Sequence, residues 1–330
     1  MNLETRIDAF TRLGRRMEEA IAPALGQVSE TNPWFSPTEI RRATVRLSAM
    51  LIPDNLYRWV QPYLPLEPAH SADVLVISAG NIPMVGFHDF LSVLISGNTY
   101  TGKLSTKDNL LIPLLADELI RIEPQFSEYI RFTDQYPTPD AAIATGGNNT
   151  SLYFNRKYRN IPSIIRKNRT SVAILDGTET RQEHIRLAAD ILEFYGLGCR
   201  SISHVFLPVN TPVDRLADSL RRFTGISPNH MYSDNLVYQT ACLKLAGHGF
   251  KDTRNVLIIE NSAIFSPIGT LHYSHYSRLE NLISFLDSQA GNIQCIVGHQ
   301  YTPFGLAQKP DLWDYADHID TLSFLKSLKP

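Results

Sequence analysis

The chain has 330 residues, 43% of them apolar and 19% charged, with a formal net charge of −2. That composition suits a globular protein with about two cores and excludes a disordered chain, and the charge leaves no electrostatic footprint for nucleic acid. Three widely spaced cysteines, an odd number, argue against a disulfide framework or a zinc site, so no metal is expected.

The N-terminus is charged and amphipathic, unlike a signal peptide, and no apolar run approaches the ~20 residues that span a bilayer. The expected location is therefore the cytoplasm. Residues 3–21 place Ile7, Phe10, Leu13, Met17 and Ala20 at three- and four-residue spacing, which predicts an amphipathic helix. Asn32-Pro33-Trp34-Phe35-Ser36-Pro37 breaks it, with Trp34 and Phe35 read as core anchors. Ser36, Pro37 and Glu39 then supply an N-cap, an N1 proline and a capping box for a helix to about Leu51. A short helix over 55–63 completes an N-terminal helical layer, residues 1–70.

From Ser71 strands and helices alternate. Asp73–Ser78 is an apolar run of the kind a buried parallel strand needs, followed by Ala79-Gly80-Asn81-Ile82-Pro83 and a helix to about Ile95. Strands are expected at 99–103, 129–133 and 141–144. Helices are expected from an Asp108 cap to about Leu119, and over 151–158. This reads as a doubly wound α/β dinucleotide-binding domain, residues 71–170, with ligand loops at the strand C-termini. A seam is expected near Asn168–Ser171. A second α/β domain, residues 171–330, follows with strands at 172–175, 204–208, 255–260, 269–273 and 293–297. Its helices are expected at 184–194, 213–222, 235–245 and 278–289.

No G-x-G-x-x-G follows the first strand. Three other loops offer dinucleotide chemistry at strand ends. Ala79–Pro83 carries the Asn81 amide. Gly102-Lys103-Leu104-Ser105-Thr106-Lys107-Asp108 carries two lysines. Thr145-Gly146-Gly147 opens a helix whose N–H groups and dipole suit a phosphate. Glycine at a strand–helix turn is also just a turn, so the combination carries the signal.

In the second domain, Phe194-Tyr195-Gly196-Leu197-Gly198-Cys199-Arg200-Ser201 sets a lone thiol between glycines and an arginine, after a helix and before a strand. A free thiol ionises near ~8.5, and a positive neighbour such as Arg200 raises its thiolate fraction. Cys199 is the nucleophile candidate, against the commoner fate of a buried structural cysteine. Cys242 and Cys295 fall in a helix and an apolar strand and read as core. His88 and His204 are candidates for proton donation or thiol activation, and equally for packed, hydrogen-bonded side chains. Trp313, Tyr315 and Phe324 either line an apolar tunnel or simply pack.

Asn81 in AGNIP, Lys103 in GKLSTKD, ATGGNNT at 144–150 and Cys199 in GLGCRS resemble, in order and approximate spacing, the aldehyde dehydrogenase superfamily. GNIPMVGFHDFLSVL, IIRKNRTSVAIL, FYGLGCRSIS, ENSAIFSPIG and GLAQKPDLWDYADHIDTLSFL resemble more closely the acyl-CoA reductase of bacterial bioluminescence and its relatives outside light-emitting bacteria. The resemblance runs from about residue 73 to the C-terminus. It implies an aldehyde dehydrogenase-like fold and NADPH-dependent reduction of a fatty acyl thioester to the aldehyde. The route is a thioacyl-enzyme on Cys199, with Asn81 and the Cys199 N–H holding the oxyanion. Lys103 matches a ribose contact. NAD-preferring relatives carry an acidic residue three positions later, where this chain has Thr106 followed by Lys107, which favours NADPH while leaving NADH open. Ser105 lies in the same loop. Gly146 and Gly147 match the phosphate loop, Gly147 standing where relatives often have serine.

Two departures bear on mechanism. The glutamate base of hydrolytic aldehyde dehydrogenases falls near Ile165-Arg166, where there is no carboxylate. The family glutamate at the nicotinamide ribose falls at Ala263, with Glu260 nearby in a strand. The resemblance further implies an acyl-CoA or acyl-protein substrate, an acyl-protein synthetase or acyl carrier as partner, and self-association. The alternatives are a short-chain CoA-acylating aldehyde dehydrogenase and a non-reductive acyl-transfer or scaffold protein.

Overall fold

A computed structural model describes residues 1–68 and 70–328. The chain divides into two compact units, one taking it to Asn168 and again from Asp311, the other running Arg169–Pro310. Among the described residues no helix is long and apolar enough to cross a membrane.

The first unit opens with α1 (Leu3–Ile21), α2 (Leu25–Thr31), α3 (Pro37–Met50) and α4 (Pro53–Val60). The apolar stripe of α1 is buried, and Phe10 sets its ring edge-on against Phe90 and Phe126. Ser36 accepts the Glu39 N–H and Pro37 is the first residue of α3, the start the sequence encodes. Phe35 is fully buried and Trp34 half-buried.

The sheet that follows comprises β1 (Asp73–Ile77), α5 (Phe87–Ile95), β2 (Thr99–Lys103), α6 (Leu111–Ile122), β3 (Ile130–Phe132), β4 (Ala141–Thr145), α7 (Asn148–Lys157) and β5 (Ser163–Arg166). All strands are parallel, in the order β3-β2-β1-β4-β5. The order reverses between β1 and β4, the crevice position at which such sheets bind ligands. β5 lies where the sequence predicts no strand. Ile164 is buried in it, and Arg166 is buried as half of an ion pair. Helix α6 starts at Leu111, three residues after Asp108, and its N-cap residue Leu110 supplies no side-chain cap.

The second unit contains β6 (Thr170–Ile174), α8 (Arg181–Leu192), β7 (Ile202–Pro208), α9 (Asp214–Arg222), α10 (His230–Leu245), β8 (Lys251–Asp252), β9 (Leu257–Glu260), β10 (Thr270–Tyr276), α11 (Leu279–Ser288) and β11 (Ile293–Val297). Its sheet runs β11-β6-β7-β10-β9-β8, parallel except for β8. One face packs on α8 and α9 through Leu187, Ile191, Leu216 and Leu220, and the other on α11 through Leu282 and Leu286. A capping box between Thr180 and Glu183 starts α8 three residues earlier than expected.

From Asp311 the chain belongs to the first unit and carries α12 (Thr321–Lys326). The second domain expected from the sequence, residues 171–330, includes them, whereas the structure groups them with the first unit. Their anchors lie far back in the chain: Tyr315 accepts a hydrogen bond from the Trp59 indole at 2.8 Å, and Arg58 lies over the Trp313 ring. Trp313, Tyr315 and Phe324 are thus placed in the first unit, with Tyr315 buried.

Candidate active site

Because β1, β2 and β4 run parallel and in register, their three following loops emerge at one edge of the first sheet. Asn81 is exposed on the loop after β1, and Lys103 ends β2 half-buried. The Lys103 ammonium sits 4.7 Å from the Tyr136 ring centroid, a cation–π contact that fixes its direction. Tyr136 is 41% exposed, and its ring also meets those of Tyr153 and Phe154. This aromatic wall was not singled out from sequence. Its only signal is tyrosines scattered over a loop and a helix, which mean nothing until the fold joins them.

The Asn81 loop and the lysine loop are packed together. A Cβ on Gly80 would lie 2.5 Å from the Ser105 hydroxyl oxygen, so only glycine permits this approach. Ser105 Oγ accepts the Lys107 N–H at 3.2 Å, and the Lys107 carbonyl accepts from Asn32 at 3.1 Å. Thr106 and Lys107 are left exposed at the tip. Asp108 Oδ2 accepts the Met84 N–H at 2.7 Å, tying the base of this loop to the one that carries Asn81. Burial pushes the Asp108 carboxyl up to about 6, against the pull of the Met84 and Leu111 N–H groups.

Thr145 ends β4, and Gly147 is the N-cap of α7 without a side chain to cap it. The first-turn N–H groups of α7 therefore have no capping side chain from Gly147. A Cβ at Gly147 would meet nothing closer than Asn168 at 3.9 Å, whereas one at Gly146 would touch Thr150 at 3.0 Å. Arg166, at the position where a hydrolytic base was sought, donates to Asp89 at 2.5 Å and to Thr321 at 3.1 Å.

In the second unit, helix α8 ends at Leu192, not Phe194, because Glu193 is extended, and the backbone then turns left-handed. Phe194, Tyr195 and Gly196 have φ of 52°, 56° and 75°. Bulky residues rarely take this conformation. It is held here by burying both rings, Tyr195 against Tyr232 at 5.4 Å. The kink delivers Cys199 to an exposed turn ahead of β7, with half-buried Arg200 beside it in sequence. Ser171 donates to the Cys199 carbonyl at 3.0 Å, and Gln308 donates to Ser201 at 3.0 Å. The loop is thus fixed from two sides. Cys242 is half-buried and Cys295 buried, and no disulfide occurs among the described residues.

Neither histidine candidate stands open to solvent. His88 Nε2 lies 2.9 Å from the Leu312 carbonyl, its ring between Trp59 and Tyr315. His204 is fully buried, with Nδ1 on the Ala263 carbonyl and Nε2 on Ser274, each at 2.9 Å. Burial pushes its imidazole down to about 4. The Ala263 carbonyl also accepts from His272 Nδ1 at 2.8 Å, so the position matched to the ribose glutamate is a clamped backbone turn. Glu260 is exposed at the end of β9, its carboxylate 3.4 Å from the Tyr273 hydroxyl.

The family model for acyl-CoA reductase (LuxC) matches residues 68–263, from just before β1 to the Ala263 turn. The chain belongs to the acyl-CoA reductase family. It is accordingly an oxidoreductase acting on acyl and aldehyde groups. No curated protein is significantly similar in sequence. Solved structures share the fold: aldehyde dehydrogenase 21 from Physcomitrella patens in complex with the reaction product succinate has a TM-score of 0.65 at 9% identity, covering 91% of this chain and 74% of that one. A putative aldehyde dehydrogenase from Burkholderia cenocepacia scores 0.65 at 11%, over 93% and 76%. The NAD+ complex of the Bacillus cereus aldehyde dehydrogenase scores 0.64 at 14%, over 90% and 72%. The acyl-CoA reductase thus has the aldehyde dehydrogenase-like α/β fold.

Proposed function

We propose that this acyl-CoA reductase converts a fatty acyl thioester to its aldehyde with NADPH, through a thioacyl-enzyme on Cys199. The observation that carries this reading is the exposed thiol on a turn held by Ser171 and Gln308, in a chain whose family reduces acyl-CoA. The Cys199 sulfur attacks the thioester carbonyl, the C–S bond to the donor breaks, and the donor thiol departs with a proton. The acyl group is then a thioester of the enzyme. The Cys199 N–H serves as a donor to the oxyanion, a contact worth ~2.7–4 kcal/mol in such sites.

The crevice between β1 and β4 fits a dinucleotide. Gly147 and the α7 N-terminus leave an open, Cβ-free cradle for a phosphate, and Lys103 and Lys107 offer cations beside it. A bound nicotinamide supplies the hydride. Thr106 and Lys107, in place of a carboxylate, favour a ribose that carries a phosphate. With Arg166 engaged by Asp89, no side chain at that position activates water, so the acyl group persists for reduction. The acyl donor is acyl-CoA or an acyl protein, delivered by a synthetase or carrier in the cytoplasm.

Cys199→Ser tests the reading: aldehyde formation from acyl-CoA falls by several orders of magnitude while NADPH still binds. Undiminished turnover by this variant would overturn it.

A further inference from the structure

A cavity of about 810 Å³ in the second unit opens between the first turn of α8 and the length of α9 from Arg215 to Arg222. Arg181, Arg215 and Arg222 line it with His184, Phe223 and Gly225. Among the described residues, none of these three guanidiniums makes a hydrogen bond or ion pair. The carboxylates on the wall are engaged elsewhere. Glu179 accepts the Asp176 and Gly177 N–H groups at 2.6 and 3.1 Å, and Asp218 pairs with Arg221 at 3.2 Å. Beyond Glu179, His299 bridges Asp176 and Glu183 at 2.7 and 3.1 Å.

Three arginines around one concavity repel each other unless an anion joins them, and the volume is that of a small-molecule site. The start of α8 adds a positive helix end. His184 is only 7% exposed, and the Thr180 carbonyl 3.2 Å from Nδ1 makes that nitrogen the donor. Among the described residues its Nε2 has no hydrogen-bond partner. Phe223 gives an aromatic surface on which a planar base can lie.

We infer that this groove binds a phosphate-bearing ligand, and that its source is the nucleotide end of a coenzyme-A thioester. The second half rests on the thioester reading above. Helix α8 has 12 residues, a rise of about 18 Å, with the groove at its start and the Cys199 turn beyond its end. A pantetheine arm has the backbone length of roughly five extended residues, about 16 Å. The arm is of the same order as the helix that separates the groove from the segment carrying Cys199.

The full chain, saturated with NADPH to fill the dinucleotide crevice, is titrated calorimetrically with adenosine bisphosphate, the nucleotide end of coenzyme A, and separately with inorganic phosphate. Binding that weakens at least about tenfold in Arg215→Ala/Arg222→Ala, two exposed positions, supports the site. Arginine-dependent binding of inorganic phosphate as tight as that of the nucleotide keeps the phosphate site and reassigns its source to a free phosphate. No binding, or binding indifferent to the arginines, overturns the proposal.

Kinetics separate this from the function itself. In the same variant KM for acyl-CoA rises at least about tenfold while KM for an acyl N-acetylcysteamine thioester stays put. An equal change for both substrates, or none, removes the groove from coenzyme recognition and leaves the reductase reading standing. Arginine-dependent nucleotide binding without any acyl-CoA turnover does the reverse.

Discussion

The Arg166 guanidinium and the Asp89 carboxylate form a buried ion pair, Nη1 to Oδ2 at 2.5 Å, joining the last strand of the first sheet to helix α5. Both side chains are more than nine-tenths buried, and Thr321 adds a hydrogen bond to the same guanidinium. Removing one partner strands a charge in the core. Arg166→Ala therefore destabilises the first unit by about 3–5 kcal/mol, and Asp89→Ala by a similar amount. Urea unfolding of each variant measures it, and a loss below 1 kcal/mol would show the pair to be dispensable.

Two buried groups titrate against each other. The Asp108 carboxyl moves from 3.8 up to about 6, so the folded chain binds the extra proton and stability falls as pH rises across that window. The His204 imidazole moves from 6.5 down to about 4, so there the unfolded chain binds the extra proton and stability rises with pH. Each contributes about 3 kcal/mol, of opposite sign over nearly the same range. Asp108→Asn should then gain stability steadily from pH 4 to 6.5, and His204→Gln should lose it. Parallel slopes in the two variants would contradict the assignment.

Gly147 heads α7 with open space where a side chain would go. Gly147→Ser adds an N-cap hydroxyl at no steric cost, raising stability by a few tenths of a kcal/mol. The same hydroxyl faces the proposed phosphate, so binding of both NADPH and NADH tightens. Fluorescence titration reads this directly, and weaker binding of either would place the phosphate elsewhere.

The exposed Lys107 separates the two nicotinamides. Lys107→Ala weakens NADPH by about tenfold, the worth of one charge-assisted contact, and leaves NADH within a factor of two. An equal loss for both would remove Lys107 from phosphate recognition.

Much of this was readable in the residues. Val74–Ile77 and Ala141–Ala144 announce buried parallel strands because they alternate with nothing, and Ser36-Pro37 announces a helix start. The loops carrying Asn81, Lys103 and Gly146 follow from the strands they leave. Strand β5 was hidden because Arg166 reads as surface charge until Asp89, 77 residues away, is known to neutralise it. The kink at Phe194 and Tyr195 was hidden because two aromatics continue a helical pattern. Only their burial against Tyr232 and its neighbours makes a left-handed backbone tolerable. The return of residues after Asp311 to the first unit depends on single contacts, Trp59 to Tyr315 and Arg58 to Trp313, which no local pattern encodes. The arginine groove gathers residues from two helices and a loop, each unremarkable alone.

The central claim is that Cys199 carries the acyl group. Intact-mass measurement after incubation with a long-chain acyl-CoA, without nicotinamide, should show one added acyl group, mapped to Cys199 and absent in Cys199→Ser. Adding NADPH should discharge it with release of one equivalent of aldehyde. An adduct confined to Cys242 or Cys295, or aldehyde formed with Cys199 never acylated, would contradict the account.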